Sequence, residues 1–294
     1  MLPTPLERAP EAVAAGRELW LKREDVHELG AFKWRGALPA VRALGRDVVT
    51  ASTGNHGAAT AWAARELGLR AVVFVPEQAS ATKLAILERL GADVRRAAGD
   101  LDATKEQAAR FAADEGLAFF EDGAEPAQFE GYAAIGREIL EQLPAPPAAV
   151  VVPVGNGALL AGIGRAIGPP TRRIGVAAKD APVMAESWRA GRPVASSSSA
   201  TIADGLAVRV AIPLAVRELA TAADELLLVS ERQLAAAVAA LYRAGIRVEP
   251  SAAAALAALP QVEADGPVVC VVTGRNVDDE LLTRCLDAPE TFPV

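Results

Sequence analysis

The stretch DVVTASTGNHGAATAWAARELGLRAVVFVP, residues 47–76, decides the fold. Two short valine-rich runs flank an alanine-rich segment with helical spacing, and the turn between them carries Ser52, Thr53, Gly54 and Asn55. A strand, a helix and a second strand make a βαβ unit, in which the helix returns the chain so that the strands run parallel. The rhythm extends both ways. Upstream lie ELWLKRE (18–24) and a helical pattern over 33–44. Downstream come an amphipathic helix over 81–90, with Leu84, Ile86, Leu87 and Leu90 in one stripe, and another over 102–115. After the connector PAPPAA (144–149) follow VVVPV (150–154), IGVAA (174–178), ELLLV (225–229), a helix over 231–244 and VVCVV (268–272). ASSSSAT (195–201) reads as a loop, and no internal repeat is present. The strands are uneven and the stretch 182–222 is irregular and helix-rich, which argues against the equal units of a βα barrel. The expected fold is α/β, with open, doubly wound, mostly parallel sheets.

Composition narrows the function. The chain has 294 residues, 51% of them apolar, enough to bury the core of one large or two modest domains. A net charge of −7 and a pI near 5.1 repel polyphosphate and anionic membrane, so no nucleic-acid or membrane partner is expected. The first residues lack a basic segment followed by an apolar one, and no apolar run spans a bilayer, which predicts a cytoplasmic protein. Cys270 and Cys285 form no CxxC pair, and with only His27 and His56 besides, no metal site is expected. Of 30 basic residues only five are lysines, so an amine able to lose its proton is scarce.

Four segments carry candidate chemistry. The first is Gly30-Ala31-Phe32-Lys33-Trp34-Arg35-Gly36-Ala37, which sets a lysine between aromatics at a helix start, where a neutral amine is favoured over an ammonium. Lys22 lies in a strand, Lys83 and Lys105 fall on polar helix faces, and Lys179 follows a strand beside Asp180, so Lys33 stands apart. The second is Ser52-Thr53-Gly54-Asn55-His56-Gly57, a strand-to-helix turn able to hold a carboxylate, or simply a capped helix start. The third, Gly155-Asn156-Gly157-Ala158-Leu159, is a glycine turn opening a helix and suits a phosphate. It lacks both the third glycine of a dinucleotide fingerprint and a Walker lysine. The fourth is Thr273-Gly274-Arg275-Asn276, at the C-terminal end of a buried strand, where ligands of open α/β sheets bind.

In this order and spacing, the segments resemble fold-type II pyridoxal-phosphate enzymes, the tryptophan synthase β-subunit-like fold, and most closely the branch of serine/threonine dehydratases and serine racemases. Thr4-Pro5-Leu6, Trp20-Leu21-Lys22-Arg23-Glu24-Asp25, Glu125-Pro126, Thr201 to Val208 and Glu249-Pro250-Ser251 add to the likeness, which covers nearly the whole chain. The resemblance implies pyridoxal 5′-phosphate bound covalently to Lys33. Phe32 would pack on its ring, Asn55 would bond its 3′-oxygen, and main-chain N–H groups of Gly155, Asn156, Gly157, Ala158 and Leu159 would hold its phosphate. Glu249 would line the cofactor site, and Thr273 would face the pyridine nitrogen, where a hydroxyl makes the ring a weaker electron sink than a carboxylate does. Ser52, Thr53, Asn55 and His56 would bind the carboxylate of a small amino-acid substrate.

This sequence departs from the branch in several places. Asn156 and Ala158 replace glycines of the phosphate loop, which requires permissive φ there. Tyr132, within Gly131-Tyr132-Ala133-Ala134, stands where Gly-Gln-Gly-Thr is common and places a phenol near the substrate. Thr53 stands where racemase-like members carry a serine acting on the opposite face of the substrate. Lys179 replaces a glutamate of metal-activated members. The expected activity is elimination of water from a β-hydroxy amino acid such as threonine or serine, giving a 2-oxo acid and ammonia, with Lys33 and Thr53 catalytic. The alternatives are β-replacement or threonine-synthase-like chemistry, and racemisation. The resemblance also implies a homodimer, whose protomer has a large cofactor-binding domain (1–46 and 126–294) and a small domain (47–125). Lys33 is expected on the large side and the carboxylate turn on the small side.

Overall fold

A computed structural model of the chain describes residues 3–79 and 81–294, apart from the side chains of 81–83, among which Lys83 falls. It divides into two compact units, Met1–Phe32 with Tyr132–Val294, and Lys33–Gly131.

The first unit is built on a six-stranded sheet. Its strands in chain order are β1 (Leu6–Arg8), β2 (Leu19–Arg23), β7 (Ala149–Pro153), β8 (Arg172–Ala178), β9 (Glu225–Val229) and β10 (Val268–Val272). They lie in the order β1-β2-β10-β7-β8-β9, and only β1 runs antiparallel to its neighbour. The uninterrupted apolar runs of β7 and β10 follow from this place: both are interior strands with every residue buried. The helix Pro250–Ala257 packs all its alanines into the same core, together with Leu234, Val238 and Leu241 of the helix Glu231–Arg243. Cys270 is a packed core thiol, and burial pushes its pKa up to about 12.

The second unit holds four parallel strands, β3 (Val48–Ala51), β4 (Ala71–Pro76), β5 (Asp93–Ala97) and β6 (Ala118–Phe119), in the order β5-β4-β3-β6. Val49, Val72 and Phe74 meet Ala108 and Ala112 of the helix Leu101–Asp114 in its core. Three strands escape the sequence pattern. The edge strands β1 and β5 are short and charged, as edges usually are, and β6 has two residues. The helix Pro126–Gln142 was not anticipated either.

The unit boundaries differ from the expected 46/47 and 125/126. The helix Trp34–Leu44 packs on the helix Asn55–Glu66, where Trp34 meets Trp62 edge-on at 6.3 Å between ring centres. Lys33, at the start of the first of these helices, falls in the second unit, as does the turn Ser52–His56.

Two of the quoted motifs serve the fold. Lys22 is wholly buried in β2, and its Nζ donates to Glu138 Oε2 (2.6 Å), Thr4 O (2.8 Å) and Gln142 Oε1 (2.9 Å). Thr4 Oγ1 donates in turn to the buried Glu24 (2.6 Å). A buried ammonium satisfied on three sides leaves an uncompensated carboxylate when it is removed. Lys22→Ala is therefore expected to cost about 3–5 kcal/mol, seen as a lower urea midpoint at unchanged slope.

Candidate active site

Lys33 caps the helix Trp34–Leu44 with its backbone: its carbonyl accepts the N–H of Ala37 (3.0 Å), and its side chain makes no cap bond. The amine is thus left for other work. It forms an ion pair and hydrogen bond with Asp122 Oδ2, a residue absent from the expected site. The partner oxygen of Asp122 accepts from Gln128 Nε2 (3.0 Å), and Gln128, itself fully buried, accepts the N–H of Gly123 (2.8 Å). Lys33 and Asp122 side chains retain 17% and 23% of their exposure, so the pair is sheltered yet reachable.

The topology explains the meeting. β6 pairs with β3, so the residues just past their C-terminal ends, Phe120 to Asp122 and Ser52 to His56, emerge side by side. Phe120 is tied there by its N–H to Val49 O (2.7 Å) and by Thr50 Oγ1 donating to its carbonyl (2.8 Å). His56 Nε2 lies 3.3 Å from the same carbonyl, which only accepts, so the ring proton sits on Nε2. His56 Nδ1 faces Asp122 Oδ1 at 3.7 Å without a hydrogen bond. Burial opposes ionisation of Asp122, but the Lys33 ammonium, by its charge and hydrogen bond, together with the Gln128 hydrogen bond, outweighs it and holds the carboxyl well below the usual carboxylate range. Burial likewise pushes His56 down, only partly offset by Asp122, and Lys33 adds to the depression. The imidazole is neutral at neutral pH.

Ser52 and Thr53 are half-buried in the turn, with Ser52 Oγ accepting the N–H of Gly54 (3.2 Å). Asn55 begins the helix Asn55–Glu66. Gly57 is required for this curl: a Cβ there would lie 2.5 Å from Ser52 O. The turn presents the first N–H groups of a twelve-residue helix beside its hydroxyls, a setting for an anion such as a carboxylate.

In the first unit, a chain of close approaches assembles the other candidates. The N–H of Phe32 donates to Thr273 O (3.0 Å), and Ala31 bridges to Gly274. Gly274 lies against the Glu249 carboxylate, leaving no space for a Cβ (2.6 Å), and its carbonyl accepts the N–H of Glu249 (3.1 Å). Ser251 Oγ accepts the N–H of Gly205 (3.0 Å), and a Cβ on Gly155 would run into the Gly205 carbonyl oxygen. Gly157 takes φ +88° and opens the helix Ala158–Ala166, whereas neither Asn156 nor Ala158 has positive φ. The two substitutions in the loop are therefore accommodated without strain. Asn156 Oδ1 accepts the N–H of Ala158 (3.1 Å), so one of the expected phosphate donors is already capped.

Tyr132 is wholly buried and packs on Phe32, with ring centres 5.2 Å apart. Lys179 is exposed and donates to Val294 O (3.2 Å). Among the described residues there is no cluster of three metal-ligating side chains and no helix long and apolar enough to cross a membrane. The residues present fit the cofactor that the resemblance implies. A sheltered amine, a glycine cradle at a helix N-terminus where a Cβ has no room, and the buried Thr273 are the features a phosphorylated pyridine aldehyde requires.

The relatives agree. L-threonine ammonia-lyases of Geobacter sulfurreducens and Thermotoga maritima are 35% and 34% identical, over 90% and 92% of this chain and 68% and 70% of their own. The processed form of threonine deaminase isoform 2 from Solanum lycopersicum superposes with TM-score 0.90 at 29% identity, covering 98% of this chain and 88% of that one. Maize serine racemase follows with TM-score 0.88 at 29% identity, covering 96% and 90%. The sequence matches the family described as pyridoxal-phosphate dependent enzyme over residues 1–274, and the chain belongs to that family.

Proposed function

We propose that the chain is an ammonia-lyase that removes water from a β-hydroxy amino acid, threonine or serine, and yields a 2-oxo acid and ammonia. The observation that carries this reading is the amine of Lys33, sheltered and held by a fixed carboxylate beside a turn of hydroxyls and helix N–H groups. Kinship with the two L-threonine ammonia-lyases supports it.

Bound pyridoxal 5′-phosphate supplies an electron sink that acidifies the Cα–H of an amino acid joined to it. Every other task falls to side chains and main chain. Lys33 holds the cofactor in the resting protein, and its freed amine accepts the Cα proton. Ser52, Thr53, Asn55 and His56 bind the substrate carboxylate through hydroxyls and helix N–H groups, which fixes the Cα–H toward Lys33. Main-chain N–H groups of residues 155–159 would hold the phosphate, with the N–H of Ala158 free to join them only once Asn156 Oδ1 turns away from it. Phe32, backed by Tyr132, would pack on the cofactor ring, Thr273 would face its nitrogen and Glu249 would line the site. The β-hydroxyl would leave as water, its proton supplied in net by the one that Lys33 takes from Cα, and the enamine released would hydrolyse to the 2-oxo acid and ammonia.

By the same kinship the protein is proposed to act in the cytoplasm as a homodimer. Screening L- and D-serine, threonine and larger β-hydroxy amino acids, with and without magnesium, tests the activity. Equal yields of 2-oxo acid and ammonia from at least one of them are expected. Retention of the cofactor with no turnover of any, or formation only of a thiol adduct or the enantiomer, contradicts the assignment.

A further inference from the structure

We propose that Asp122 is the charge partner of the Lys33 amine: a positioning carboxylate that holds the amine as an ammonium until the cofactor's aldehyde claims it, and receives it again whenever Lys33 takes up a proton. The inference rests on the reading of Lys33 as the cofactor's attachment point.

Three features separate this carboxylate from an ordinary surface ion pair. It is held from behind: Gln128 donates to Oδ1 (3.0 Å) and is itself pinned by the N–H of Gly123 (2.8 Å), so the oxygen that meets Lys33 is aimed before any ligand arrives. It stays charged, because the groups facing it stabilise the anion. The stabilising groups are Lys33 at the start of its helix and the Gln128 amide; His56 on the helix Asn55–Glu66 faces Asp122 as a neutral ring, kept so by burial, by Lys33 and by Lys105 of the helix Leu101–Asp114, which also pairs with Glu121 (3.6 Å). It is also placed by topology, since β6 beside β3 delivers it next to the turn that is proposed to bind the substrate carboxylate.

The chemical consequence is a division of labour. An ammonium is not a nucleophile, so Asp122 slows attack of Lys33 on an aldehyde. The same negative charge favours the reverse state, in which Lys33 has accepted a proton from Cα and its two free electrons now bind that proton. A carboxylate at this distance therefore trades cofactor uptake for a better proton acceptor during turnover.

Asp122→Asn keeps the shape and removes the charge. In full-length, cofactor-free protein near pH 8, competitive labelling with an amine-directed reagent, read by mass spectrometry against exposed Lys179, is expected to proceed at Lys33 about tenfold faster than in the unaltered protein. Uptake of pyridoxal 5′-phosphate, followed by its absorbance, is expected to accelerate by a similar factor. Gln128→Ala, which loosens the carboxylate without discharging it, is expected to give a smaller acceleration and serves in its place if the asparagine variant does not fold. Equal labelling rates, with the cofactor still found on Lys33, overturn the proposal and leave the attachment point standing. Faster labelling with the cofactor found on a different lysine overturns the attachment point and with it the role of Asp122 in the reaction.

Discussion

Lys33→Ala is expected to abolish covalent cofactor attachment and to lower kcat/KM by about ten-thousand-fold or more, because one amine serves as both anchor and proton acceptor. The helix that follows will form without it: the Lys33 side chain makes no cap bond, and alanine suits a helix start that already lacks one. The structural cost falls on Asp122, which loses its ammonium and keeps only Gln128 and the distant His56. A lowered melting temperature, restored in part by adding Asp122→Asn, accompanies the loss of activity. Circular dichroism, assay of 2-oxo acid release and the visible absorbance of the bound cofactor separate these effects. Retained turnover in the folded variant contradicts the assignment of Lys33.

Gly155→Ala is expected to weaken cofactor binding by about ten- to a hundredfold, the scale of overpacking a rigid site. The added methyl would land on the carbonyl oxygen of Gly205, and that residue has no slack, since its N–H is tied to Ser251 and its own Cα faces the same hydroxyl. The main chain of the loop must move, and the N–H groups proposed for the phosphate move with it. Gly168→Ala is the control, for a Cβ there meets nothing within 4 Å and its affinity should be unchanged. Equilibrium titration with pyridoxal 5′-phosphate gives both values.

The legible part of the fold was its buried part. Valine runs such as VVCVV could be read as strands because interior parallel strands are apolar on both faces, and β10 is interior. β5 could not, because Asp93, Arg95 and Arg96 sit on an edge where charge is tolerated, and β6 is too short to show any period. Lys33 stood out as a candidate because lysine is scarce and its neighbours are aromatic. The turn at Gly155–Gly157 was legible because glycines between an apolar strand and an apolar helical run mark a turn opening a helix. Asp122 was hidden for a physical reason. It lies 89 residues from Lys33, and only the pairing of a two-residue strand with β3 brings them together. The one local sign is a carboxylate just past an apolar pair, Phe119-Phe120, at the C-terminal edge of a parallel strand, where ligand-facing groups collect. Lys22 was legible as a strand residue but its partners were not, since nothing local reveals that Glu138 and Gln142 reach it from a helix far along the chain. The boundary at Phe32 was equally invisible: it depends on Trp34 meeting Trp62, a contact between helices and not a break in composition.

The central claim is that Lys33 carries the cofactor. Reducing the purified, cofactor-bound protein with borohydride, digesting it and sequencing the labelled peptide by mass spectrometry tests that claim directly, because reduction makes the attachment permanent at whichever of the five lysines holds it. The expected result is a single pyridoxyl group on Lys33, within Gly30-Ala31-Phe32-Lys33-Trp34-Arg35. A pyridoxyl group on Lys22, Lys83, Lys105 or Lys179, with Lys33 unmodified, would contradict it.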